Sequence, residues 1–297
     1  MAKARQIVKR RKAVANIRKI TNTMRLIATA RFQQAYTRAM AAKPYTEKIT
    51  ALVEEVSKAA GDQVDNALLR DNPDAGRDLL LVLTSNRGLC GGYNGQVLRT
   101  ALRHLNETKD RPHELQVVGK KGVAYFRFLG RPVDRAITGI SDRPRFDQIE
   151  PIAAEYIKRY EAGEFGSVRV AYMRFISAGR QAPEILRLLP LSPSQPKPGE
   201  RGSPAVPTGQ VAALYDFSPE PGELFNVLLP QTVKVRLFQC FIDAAVSEET
   251  ARKVAMKAAT DAADDMIKLL SRQFNRARQT QITMELLDIV GGAEALK

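Results

Sequence analysis

Tryptophan is absent from this 297-residue chain, and cysteine and histidine occur only twice each. Cys90 and Cys240 are too few for a disulfide framework or a cysteine-based zinc site, so the composition fits a reducing compartment. His104, on a helix-like stretch, and His113, just before a predicted strand, give no catalytic triad or metal cluster by their spacing. No run of 18 apolar residues occurs, and the basic start MAKARQIVKRRKAVANIRKI lacks the apolar core of an export signal. The expectation is a soluble, unexported chain without a membrane span. At 44% hydrophobic, the chain is too apolar for disorder and long enough for one large or two smaller cores.

Proline and glycine are missing from two places in particular. Residues 1–43 contain neither, and Ile17, Ile20, Met24, Ile27/Ala28, Phe32, Ala35 and Ala39 recur at steps of three or four. That period predicts a helix with one apolar stripe, which Pro44 kinks or restarts before Leu52, Val53 and Val56 resume the pattern to Gly61. Residues 231–290 also contain neither, between Pro230 and Gly291-Gly292. As continuous helix that stretch would reach roughly 90 Å, too long for a compact domain. Its opening TVKVRLFQCFI allows an extended start, whereas ARKVAMKAATDAADD requires helix. Ala251, Ala255, Ala258, Ala259, Ala262 and Ala263 would admit a close partner helix, and Val254, Met266, Leu270, Phe274 and Ala277 extend the stripe. Two such helices satisfy each other as an antiparallel coiled coil built from both chain ends.

Between the ends the period changes. The runs DLLLVLT, ELQVVG, RPVDRA, SVRVAYMRF and PEILRLLPL alternate with helix-like stretches at 96–107 and 148–162, which predicts βαβ units and a mostly parallel sheet. ISAGRQA between the last two runs reads as a hairpin, making the final strand antiparallel. SPSQPKPGERGSPAVPTG, at 192–209, reads as a solvated Pro-rich insertion.

Acidic residues are scarce at one end only. Residues 1–60 hold 14 Lys and Arg against 3 Asp and Glu, whereas the rest of the chain is nearly balanced. A segment so charged seeks an acidic partner: nucleic acid, an anionic membrane or an acidic protein loop. KRRK at 9–12 resembles a phosphate-binding patch, yet the first 31 residues contain no aromatic for stacking, so the alternative of a basic nucleic-acid-binding protein with a coiled coil predicts nonspecific, salt-sensitive binding. The glycines of RGLCGGYNG, Gly88 to Gly95, match neither the dinucleotide fingerprint nor a Walker loop. A backbone nest beside Arg87 is their weak functional reading; tight packing and unusual dihedrals are the stronger one. Cys90 among them reads as a buried inert thiol. Glu54/Glu55, Glu248/Glu249 and Asp264/Asp265 read as solvated helix faces, and no cofactor or metal is expected.

KITNTMRLIATARFQQA, TSNRGLCGGYN, SEETARKVAMKAATDAADDMIKLLSRQFNRARQ and QITMELLDIVGGAEAL together closely resemble the γ subunits of F-type ATP synthases, over nearly the whole chain. AMKAATD and ITMELLDIVGGA are the most specific segments, and the Pro-rich stretch is the clear departure. The resemblance implies an α/β fold in which a long antiparallel coiled coil of the terminal helices is joined to a Rossmann-like domain. Its boundaries are 1–75 for the first shaft region, 76–215 for the base domain with its insertion near 192–209, and 216–297 for the second shaft helix. It implies a non-catalytic rotor inside a ring of three α and three β subunits, resting with ε on the membrane c ring, coupling proton flow to ATP synthesis and regulating hydrolysis. It also implies which residues touch partners. Met24, Arg252, Gln279, Thr283 and Glu285 fall on positions that engage the ring, Arg87 of the glycine loop is a further candidate, and Tyr215 and Phe217 in YDFSPEP match a c-ring contact. Ser218 stands where that pattern has an acid. Without cysteine between Cys90 and Cys240, the thiol regulation of the chloroplast form is not expected. The simplest setting is peripheral, at the cytoplasmic face of a bacterial inner membrane, with a mature mitochondrial chain as the other setting.

Overall fold

The computed structural model describes residues 2–60, 66–140, 143–191 and 221–294. Ten elements follow in order: α1 (Ala2–Ala60), β1 (Asp78–Leu83), α2 (Tyr93–Glu107), β2 (His113–Val118), α3 (Lys120–Phe128), β3 (Arg135–Ile137), α4 (Phe146–Glu161), β4 (Val168–Ser177), β5 (Arg180–Leu189) and α5 (Pro221–Glu294). The Pro-rich stretch, Tyr215 and Phe217 lie outside the described residues.

Pro230, expected to bound a helix, lies inside one, as does Pro44, expected to kink or restart its helix. α1 continues through Pro44, and α5 begins nine residues before Pro230 and passes Gly291-Gly292. TVKVRLFQCFI is helical from its first residue, against its β-branched composition. Burial supplies the reason: Phe225, Leu229, Val233, Leu237 and Phe241 are all buried at intervals of four, a helical spacing that places every one of them in a single core. Tertiary packing outweighs a propensity difference of well under about 1 kcal/mol per residue.

The chain forms two compact units. One comprises residues 33–88 and 92–248. Its five-stranded sheet has the order β3-β2-β1-β4-β5, with β1 parallel to β2 and β4, β2 parallel to β3, and β5 antiparallel to β4 through the expected hairpin. Every residue of the central β1 is buried, as a parallel strand covered on both faces requires. Leu79, Leu81 and Leu83 share a core with α4 and α5; the strand's alternation turns Leu80 and Val82 to the other face. α2 lies against β1, β4 and β5, and α3 against β2.

The other unit comprises α1 up to Phe32, residues 89–91, and α5 from Glu249 onward. Val14, Ala263 and Leu270 form its small core, flanked by Ile7 and Ile267. Thr260 donates to Thr21 (3.0 Å), Arg18 pairs with Asp264, Lys253 lies over the Phe32 ring and Arg11 over that of Phe274. Partners fall in number along one helix as they rise along the other, which defines an antiparallel pair.

The seam of this pair departs from the predicted stripe. On α1 the buried positions are Val14 and Ala28, with Thr21 half-buried between them, while Ile17, Ile20 and Ile27 face outward at 53, 60 and 48% exposure. On α5 the inward positions are Met256, Ala259, Ala263, Ile267, Leu270, Phe274 and Ala277; Val254, Ala258, Ala262 and Met266 are exposed. Ala251 and Ala255 do permit a close approach, but of a loop: a Cβ placed on Gly91 would meet the Ala255 methyl at 3.7 Å and the Ala251 carbonyl at 3.9 Å.

Candidate partner-contact surface

Leu89 and Gly91 adopt left-handed backbone (φ 63° and 56°) on either side of buried Cys90. Gly91 does so without cost, whereas Leu89 is a conformational exception with an exposed side chain. A phosphate cradle needs unspent amide donors at a helix N-terminus. The glycine loop opens α2; at the neighbouring turn, the start of α3, the donors are spent on the chain itself: Lys120 N–H donates to Asn86 Oδ1 (3.2 Å), Lys121 N–H to the Ser85 carbonyl (3.1 Å) and Gly122 N–H to Thr84 Oγ1 (2.9 Å). Ser85 N–H donates to Asn94 Oδ1 at 3.0 Å. Arg87 is exposed, and its carbonyl accepts a hydrogen bond from the Ser85 hydroxyl.

The two histidines, far from a cluster in the sequence reading, meet in space. The end of α2 and the start of β2 bring their rings to 5.8 Å, edge to face, with Thr108 Oγ1 at 3.0 Å from His113 Nε2. Burial lowers both pKa values, reinforced at His104 by Arg169. Among the described residues, no group of three or more His, Cys, Asp or Glu side chains could hold a metal ion. Cys240 is buried, and burial pushes its thiol far above the ordinary range.

Arg252 is only 5% exposed. Its guanidinium bonds Glu249, itself buried, and Arg31 of α1 approaches the same carboxylate at 3.8 Å. Glu249, read from sequence as part of a solvated face, is instead the acidic centre of two arginines. Met24 is half-buried, and Gln279, Thr283 and Glu285 are exposed on α5. Glu285 accepts from Gln281 (2.8 Å), and Thr283 donates to the Gln279 carbonyl (3.0 Å). These positions do not gather into one site: they spread along two helices and a loop.

Two apolar strips remain exposed on this unit. One is the second stripe of α1, Ile17, Ile20 and Ile27 with half-buried Met24, set among Lys12, Lys19 and other basic residues. The other is the end of α5, where Ile282, Met284, Leu286, Leu287, Ile289 and Val290 are all about half exposed or more. Among the described residues, no helix is long and apolar enough to cross a membrane.

A coil of the two terminal helices, together with a doubly wound α/β unit, defines a shaft-type class of protein. A family model described as ATP synthase matches residues 3–296. The chain is 44% identical over 299 residues to the ATP synthase gamma chain of Rhodopirellula baltica, covering 100% of both. It is 38% identical over 312 residues to that of Saccharopolyspora erythraea, covering 100% of this chain and 98% of the relative. Its fold resembles a chain of the Euglena gracilis mitochondrial ATP synthase solved as OSCP/F1/c-ring, with a TM-score of 0.66 at 18% identity over 99% of this chain and 95% of that one. A chain of the same enzyme's rotor gives a TM-score of 0.61 at 17% identity, covering 95% and 99%. The protein belongs to the ATP synthase gamma-chain family, and is thereby a non-catalytic, central-stalk subunit.

Proposed function

We propose that this chain is the rotor that couples proton flow through the membrane sector to conformational change in a surrounding ring of three α and three β subunits, with ε and the c ring as its further partners. The observation that carries the reading is the pair of unspent apolar strips. The seam inside the coil satisfies one face of each helix, and a second face is left that only another chain can cover. A ligand shifts an equilibrium only by its differential affinity for the states, so a shaft sets three catalytic subunits into three states only if its circumference is unequal. Two helices of different length and unlike faces meet that condition.

Within this reading Met24 and the α1 stripe meet an acidic partner loop, with Lys12 and Lys19 supplying non-directional attraction that survives exchange of partners during rotation. Gln279, Thr283 and Glu285 offer polar contacts to the ring, as does Arg87. Arg252, bonded within the chain, acts by shaping the coil that the ring grips. Tyr215 and Phe217 are assigned to the c ring. Shaft and base divide by chain segment at 1–75, 76–215 and 216–297, with the described residues of 33–75 and 221–248 packing in the α/β unit, and the complex lies peripherally on the cytoplasmic face of a bacterial inner membrane.

Reconstitution tests this directly. Mixed with α and β subunits at physiological salt, the chain should assemble and raise ATP turnover. Nonspecific phosphate binding by the basic helix would collapse at that salt. Failure to assemble, with retained binding to nucleic acid, would overturn the proposal.

A further inference from the structure

Doubly wound sheets bind ligands in the crevice beyond the carboxyl ends of their parallel strands, where the strand order reverses. Here the order β3-β2-β1-β4 places that reversal at β1, between β2 and β4. The side of the crevice at the β2–α3 turn is closed by close packing against Thr84. A Cβ on Gly119 would stand 2.2 Å from the Thr84 carbonyl oxygen, and one on Gly122 would stand 2.5 Å from Thr84 Oγ1. The other side is covered by α5. Phe241, Ala244, Ala245 and Glu248 line a residual cavity of about 40 Å³ together with Leu83 and Thr84 at the end of β1 and Val118 at the end of β2. On the other side of the reversal, Ser247 Oγ donates to the Met173 carbonyl of β4 at 3.3 Å. One helix therefore lies across the ends of β1 and β2 and reaches β4 at Met173.

We infer that α5 is the intramolecular ligand of this crevice, with the Phe241 ring in the place of a bound planar group and Ala244 and Ala245 letting the helix approach. Phe241 is 5% exposed and shares one core with Leu83, Val118 and Ile140. The residual cavity has room for about two waters and none for an aromatic ring. What the fold ordinarily keeps for a cofactor is here a socket that fixes a helix, and its chemical preference is for a small, flat, apolar group. This goes beyond the rotor reading and does not depend on it.

The full-length chain with Phe241→Ala tests the assignment. Truncation should lower Tm by about 10 °C. Toluene at ten times its Kd should restore about 3 °C by mass action and leave the wild type unchanged. In methyl-labelled protein, toluene should give NOEs to Leu83 and Ile140. If Phe241→Ala does not fold, Phe241→Leu with benzene takes its place, read in the same two ways. Absence of a thermal response, or NOEs to methyls elsewhere, would overturn the inference. A rise in the wild-type Tm with ATP or NAD would also overturn it, because the crevice would then be open to an outside ligand.

Discussion

The two units spend their apolar surface differently. In the α/β unit, β1 is buried along its whole length, and the core runs without interruption from the sheet through α4 to α5. In the coil a small cluster of Val14, Ala263 and Leu270 with two flanking isoleucines is interleaved with Thr21–Thr260, Arg18–Asp264 and the Glu249–Arg252 pair, while stronger hydrophobes face outward. One unit buries its strongest hydrophobes; the other leaves several of them exposed. The sharpest test sets equivalent truncations side by side. Leu81→Ala in the sheet should cost about 3–5 kcal/mol in denaturant unfolding. Ile17→Ala in the coil should cost less than about 0.5 kcal/mol. Equal losses would erase the distinction between the units.

Charge reversal at Arg252 is next in size, and its expected effect follows from burial. Arg252→Glu places a second carboxylate beside buried Glu249, a break in a buried pair worth about 3–5 kcal/mol. Because the coil has little other core, the loss should be local. Hydrogen exchange should rise in 249–270 and 7–28 while β1 and β4 keep their protection. Uniform loss of protection would show that the coil and the α/β unit unfold together.

Acidification separates the units in another way, since His104, His113 and Asp243 lie in the α/β unit. His104 and His113 have lowered pKa values in the folded chain, so the unfolded chain binds their protons first. The stability they allow is fully present above the ordinary histidine value of 6.5 and is lost as the pH falls below it. Asp243 has the opposite sign. Burial pushes its carboxyl up to about 6, against bonding from Gln239 and attraction from Arg174, so its ionised form costs stability that returns as the pH falls through 6 toward 4. Asp243→Asn should therefore stabilise the chain by about 1–2 kcal/mol at pH 7.5 and not at pH 4. A His104→Asn, His113→Asn pair should flatten the loss between pH 6.5 and 5. Unchanged pH profiles in both variants would remove these groups from the account.

The same contrast explains what the sequence made legible. The terminal helices were readable because nothing in 1–43 or 231–290 could stop them, and the sheet because DLLLVLT and its companions are short, apolar and regularly interrupted. The hairpin from ISAGRQA was readable for the same local reason. The phase of the coil was not. Ile17, Ile20 and Ile27 outrank Val14, Thr21 and Ala28 in hydropathy, yet the weaker set is the seam, and a stripe read by apolarity alone selects the exposed face. Likewise Ala258 looks like Ala263 in one dimension. The helical start of α5 depends on a core assembled from β1, α4 and α5, which no local window contains. The meeting of His104 with His113 depends on α2 returning beside β2.

Placing the seam correctly gives a graded pair of tests. Ala263→Leu, inside it, should overpack the coil at a cost of about 1–3 kcal/mol, whereas Ala258→Leu, facing out, should stay within about 0.5 kcal/mol. The smallest effect on folding is the most informative about function. Ile20→Ser removes an exposed side chain from the second stripe of α1, so the melting curve of the isolated chain should not move. If that stripe is the face a partner covers, the same substitution should weaken assembly with α and β subunits about tenfold, since burying such a side chain is worth about 1.5 kcal/mol or more. Unchanged assembly would leave Ile17, Ile20 and Ile27 as apolar residues on a wetted surface. The grip of the ring would then have to be sought at the exposed end of α5, from Ile282 to Val290.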